Sequence, residues 1–107
     1  MGVVATLVGA DGTQLRGLPD PDGGSFDAAG DVDRLLLEGS GFRVLHRVDL
    51  YGQTTLDRAE MAELLVDVER LIASGPRPIE RRGLGRLRVM AEACRDGLGL
   101  QVEFQGD

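Results

Sequence analysis

The sequence predicts an α+β fold: a small antiparallel sheet of three or four strands, including both chain termini, packed against two main antiparallel helices. Three patterns carry that expectation. Residues 57–73 and 79–96 each repeat apolar side chains at helical spacing, a Gly-Pro turn divides them, and β-branched or alternating runs stand near both ends.

Taken in order, residues 3–8 (Val-Val-Ala-Thr-Leu-Val) read as the first strand, and Asp11-Gly12 after them as a hairpin turn returning along 13–16. Residues 17–30 concentrate Gly, Pro, Asp and Ser, the composition of an irregular surface loop. Residues 31–38 have two readings. Asp31 or Asp33 can cap a short helix through Leu35, Leu36 and Leu37, or the run can be a buried strand. Residues 42–50 suit a short strand or an extended connector equally.

The next segment is written more plainly. Met61, Leu64, Leu65, Val68, Leu71 and Ile72 share one helix face, Asp57 and Glu60 make a capping-box start, and Ser74-Gly75-Pro76 ends the helix. A second helix over 79–96 keeps Leu84, Leu87, Met90, Ala91, Cys94 and Leu98 on one face, although Gly83 and Gly85 weaken its early turns by roughly 1 kcal/mol each. Residues 100–105 alternate apolar with polar, the mark of a half-buried strand, and are expected to pair with 3–8. Helices on one side leave the other sheet face, or an edge, as a docking or dimerisation surface.

All 107 residues are expected to form a single domain, with an aliphatic core, because the chain has three Phe, one Tyr and no Trp. A lone cysteine, Cys94, permits no internal disulfide and no Cys cluster for zinc. With no signal-peptide pattern and no apolar run of membrane-spanning length, the sequence points to the cytoplasm. The net charge of -6 argues against nucleic acid as a partner. That charge is uneven: residues 1–69 hold thirteen acids and five Arg, residues 70–107 five acids and seven Arg.

Spacing decides among the candidate chemical groups. Asp20, Asp22, Asp27, Asp31 and Asp33 offer oxygen ligands, yet Ser25 stands where a calcium loop needs Gly and Asp31 where it needs Glu. His46 is the only histidine and has no nucleophile motif beside it, and Cys94 lies on an apolar helix face. Gly83-Leu84-Gly85 lacks both the third glycine of a dinucleotide fingerprint and a preceding strand. No catalytic set, metal site or cofactor is therefore expected.

Two constellations remain. Arg77, Arg81, Arg82, Arg86 and Arg88 form a basic cluster on the second helix, and Glu60, Glu63 and Asp67 form an acidic stripe at i, i+3 and i+7 on the first. The two sets are expected to match each other within the chain or across subunits, with Glu60, Glu63, Asp67, Arg81, Arg82 and Arg86 as partner-binding candidates. The other constellation is Asp49, Tyr51, Thr54 and Thr55, hydrogen-bonding side chains just before a helix N-terminus, where amides and the helix dipole favour an anionic ligand. Its plainer reading is a capped turn at Gly52.

The run Asp49-x-Tyr51-Gly52-x-Thr54, an amphipathic helix after it and a terminal Phe104-x-Gly106-Asp107 together resemble small bacterial proteins of about this length. Those carry Pro between the Asp and the Tyr, and an Asn shortly after the Thr, where this chain has Leu50 and Asp57. The resemblance implies a shared fold over the C-terminal half and no activity, and it suggests an immunity, inhibitor or accessory role as an expectation. The expectation is thus a non-catalytic protein-binding domain acting through a charge-complementary surface, with self-association as a homodimer included. A small enzyme or ligand-binding module built on Asp49 to Thr55 is the alternative.

Overall fold

A computed structural model describes residues 3–9, 25–27, 33–38, 41–49 and 51–106. Among the described residues, four antiparallel strands form one sheet in the order β2-β1-β4-β3, where β1 is Val4–Gly9, β2 Ser25–Asp27, β3 Gln53–Asp57 and β4 Leu100–Gln105. The central pairing joins the two ends of the chain: Ala5 faces Phe104 and Leu7 faces Val102. Period-2 alternation sends Ala5, Leu7, Leu56, Val102 and Phe104 to one face, where all are fully buried.

Two helices cover that face, α2 (Met61–Ala73) and α3 (Pro78–Asp96). α2 contributes Met61, Leu64, Val68 and Leu71 to the core, and α3 contributes Leu84, Leu87, Met90, Ala91 and Cys94. The reversal between them follows from local chemistry. Gly75 adopts a φ of +78°, the left-handed conformation that stops a helix, and Pro78 supplies the preset φ of a first helical position. The Glu80 carboxylate accepts the Arg77 N–H at 2.8 Å, which satisfies one of the orphan donors of that start.

The same Glu80 side chain, 1% exposed, anchors a third and shorter helix, α1 (Asp33–Glu38). Arg34 of α1 donates from Nε to Oε2 at 2.8 Å and from Nη2 to Oε1 at 2.6 Å, a bidentate pair. This pair draws the Glu80 carboxyl below its ordinary value, against the opposing effect of burial. Of the two readings of residues 31–38, the helix is the observed one over Asp33–Glu38.

Several expectations need correction. Residues 17–30 contain a strand, Ser25–Asp27, which pairs with β1 through Thr6 and Ser25, Ala5 and Phe26, and Val4 and Asp27. Three residues with one apolar member carry no alternation for a sequence to display, and the edge of β1 supplies the partner groups. The return strand over 13–16 and the acidic positions Asp20, Asp22 and Asp31 lie outside the described residues. Of the two readings of residues 42–50, the connector is the observed one over residues 42–49, with a 3-10 turn at Leu45–Arg47. Leu98 is 83% exposed, because α3 ends at Gly97, where the backbone turns extended and leaves the helical register.

Candidate functional site

The segment singled out around Asp49 is not the entry to a helix. Thr54 and Thr55 belong to β3, which stands at the edge of the sheet between the turn and the helix, and a 3-10 turn (Arg58–Glu60) precedes α2. Asp49 and Tyr51 are therefore separated from the α2 N-terminus by the whole of β3. The strand was hidden because Gln53-Thr54-Thr55-Leu56-Asp57 has one buried apolar residue, Leu56, with exposed polar residues at 53, 55 and 57.

The turn itself is held by its own side chains. Asp49 Oδ1 accepts the Tyr51 N–H at 2.9 Å, Thr54 Oγ1 accepts the Asp49 N–H at 2.9 Å, and the Asp49 carbonyl accepts the Gly52 N–H at 3.3 Å. Tyr51 projects outward, 69% exposed. A Cβ at Gly52 would stand 2.6 Å from Asp49 Oδ2, so any other residue there displaces that carboxylate from the turn. What the arrangement offers chemically is a carboxylate oxygen and an aromatic ring at the start of a strand edge that no other described strand pairs with.

The acidic stripe of α2 is engaged, though with a different partner from the one expected. Arg47 pairs with Glu60, and Arg43 Nη1 with Glu63 Oε2 at 3.1 Å. Asp67 is 0% exposed and accepts three backbone N–H groups, from Arg43 at 2.8 Å, Val44 at 2.9 Å and Leu45 at 3.0 Å. One turn further on, Arg70 donates to the carbonyl of Gly41, which takes a φ of +74°. Glu60, Glu63, Asp67 and Arg70 thus fasten the connector over 41–48 along one face of α2. Asp67 is no surface residue, and a signal for this existed: it stands three residues after Leu64 and four before Leu71, inside the apolar arc.

The basic cluster does not oppose that stripe. Arg81 and Arg82 are exposed, Arg86 is half-buried, and both Arg82 and Arg86 are engaged in contacts. The two helices are joined instead by Arg88 Nη1 and Glu69 Oε1 at 3.1 Å. His46, exposed, holds the Phe42 carbonyl at 3.2 Å through Nδ1. Cys94 is buried, its Sγ 3.3 Å from the Leu100 carbonyl, and burial pushes its thiol pKa up, with Asp57 adding to the effect.

Among the described residues no three His, Cys, Asp or Glu side chains gather to hold a metal ion. No protein-family model, curated protein or solved structure matches the chain. The functional reading rests on its own residues. Among the described residues, no helix is long and apolar enough to cross a membrane.

A shallow depression of about 270 Å³ is lined by Asp57, Arg58, Ala59, Gly99, Leu100 and Gln101, at the end where β3 leaves the sheet and β4 begins. Leu98, exposed, adjoins it in sequence. Arg58 turns toward α3, donating from Nε to the Arg95 carbonyl at 2.8 Å, which closes the last turn of that helix. An apolar depression of about 410 Å³ lies on α2, lined by Leu65, Val66, Glu69, Arg70 and Ala73. Its two charged members already hold Arg88 and Gly41.

Proposed function

We propose that this chain is a protein-binding domain that acts by pairing a polypeptide along the β3 edge of its sheet. The observation carrying the reading is the edge itself: Gln53, Thr55 and Asp57 are exposed, exposed Tyr51 lies two residues before the strand, and exposed Leu98 precedes Gly99 of the depression at its other end. An open edge presents a row of N–H and C=O groups that another chain can complete, and flanking apolar side chains add area to such a contact. The side chains that the sequence offered for chemistry support the same reading. Asp49, Asp67, His46 and Cys94 each bind a backbone group of the fold. A reducing cytoplasmic setting belongs to this reading and fits the free, buried Cys94.

Site-specific photo-crosslinking tests it. A photoreactive side chain at Thr55 is expected to capture protein in cells, whereas the same group at Ala62, exposed on α2, is expected to capture none. Equal capture at both positions, or none at Thr55, overturns the reading.

A further inference from the structure

The β3 edge is self-complementary, and we infer that its partner is a second copy of this chain, paired antiparallel about a two-fold axis at Thr55. The inference rests on the reading of β3 as a docking edge and goes further by naming its occupant. Gly106 donates its N–H to the Gly52 carbonyl at 2.8 Å, so by alternation Gly52, Thr54 and Leu56 direct their backbone groups toward β4. Gln53, Thr55 and Asp57 direct theirs outward. The Asp57 N–H is already taken by Glu60 Oε1 at 3.0 Å, which marks where pairing stops.

The register that uses the whole strand sets Thr55 opposite the partner's Thr55 and Gln53 opposite the partner's Asp57. It forms about four new backbone hydrogen bonds. It also puts Gly52 opposite the partner's Arg58. Here the charges decide the occupant. Asp49 Oδ2 lies against Gly52 and has no partner among the described residues, while Arg58, exposed at the other end of the same strand, gives only its Nε to the Arg95 carbonyl and has no hydrogen bond from its Nη groups among the described residues. A two-fold axis brings each carboxylate to the other copy's guanidinium, twice per dimer. The same operation carries Tyr51 to the partner's Ala59, at the rim of the depression beside Leu98. An edge five residues long buries less than the roughly 1,200 Å² of a standard interface, so the dimer is weak, with a Kd on the order of 100 µM.

Sedimentation velocity from about 10 µM to 1 mM reads this directly. The wild-type chain is expected to pass from monomer to dimer across that range, and added salt to weaken the dimer. Thr55→Pro removes an outward donor without touching the β4 ladder and abolishes dimerisation. Should that variant fail to fold, charge exchange provides an independent arm. Asp49→Arg and Arg58→Asp each raise the Kd by about tenfold or more alone, yet an equal mixture of the two regains wild-type association, because both cross-dimer contacts are then attractive.

A wild-type chain that stays monomeric at 1 mM overturns the inference, as does a dimer indifferent to Thr55→Pro, or a mixture that recovers nothing. A monomer whose Thr55 crosslinker still captures another protein sinks self-pairing and leaves the docking edge standing. A monomer that captures nothing sinks both.

Discussion

Replacing Asp67 separates a buried anchor from the surface charges around it. Asp67→Ala strips acceptors from three backbone N–H groups, two of them buried, those of Val44 and Leu45. Each buried donor left without a partner costs about 1–3 kcal/mol, so the variant should lose about 3–6 kcal/mol in all. Against the 5–15 kcal/mol typical of a domain, that is up to about half or more of the stability. The control uses the same connector residue: Arg43 also pairs with Glu63, but through exposed side chains, and Glu63→Ala should cost about 0–1 kcal/mol. Urea unfolding followed by far-UV circular dichroism measures both. With an m-value of about 1.5 kcal/mol/M, Asp67→Ala shifts the midpoint down by about 2 M or more and Glu63→Ala by less than about 0.7 M. Asp67→Asn, which keeps one acceptor oxygen, should fall between them. If Asp67→Ala loses no more than Glu63→Ala, the carboxylate does not hold the connector and the reasoning fails.

Other substitutions probe the remaining supports. Glu80→Gln should cost about 2–4 kcal/mol at pH 7, since Glu80 is 1% exposed and its Arg34 partner 35%. Because the folded carboxyl titrates below its ordinary 4.5, the pair's stabilisation is complete above that value and disappears as the pH falls through the lower folded one. The gap between wild-type and Glu80→Gln urea midpoints should therefore narrow in acid, and a constant gap would contradict the ion-pair account. Gly85→Ala should stabilise by about 0.5–1 kcal/mol, raising the Tm by about 2–6 °C. Gly85 lies inside α3, and nothing stands within 4 Å of an added Cβ, so a lowered Tm would show that the space is occupied.

How much of this was legible in the sequence depended on whether apolar spacing alone carried the information. The span 79–96 returned as Pro78–Asp96, and 100–105 returned unchanged as β4, because their patterns at periods of 3.6 and 2 are written in Leu, Val, Met and Phe. Edge strands leave a fainter trace. Only the inward half of β3 needs to be apolar, and at five residues that half comes down to Leu56 and Thr54. Asp67 was legible only in part, for the opposite reason. Its position within the apolar arc of α2 is visible, but the amides that make burial tolerable come from residues 43–45, and only the folded chain brings them there.

The Asp49 turn joins the stability of the edge to its proposed use, and Gly52→Ala tests that connection. A Cβ at Gly52 stands 2.6 Å from Asp49 Oδ2 and 3.2 Å from Cγ, so the carboxylate must swing away from the turn. The swing breaks its bond to the Tyr51 N–H, an exposed group that water can serve instead, which limits the cost to about 0.5–1.5 kcal/mol. Stability alone would thus barely report the change. The carboxylate that faces Arg58 across the two-fold axis, however, has lost its place, and Tyr51 has lost the bond that aims it. Dimerisation should weaken by about tenfold while the monomer stays folded, a separation that loss of turn stability by itself does not produce. If association is untouched, Asp49 is a structural turn residue only, and the charge argument for a second copy goes with it.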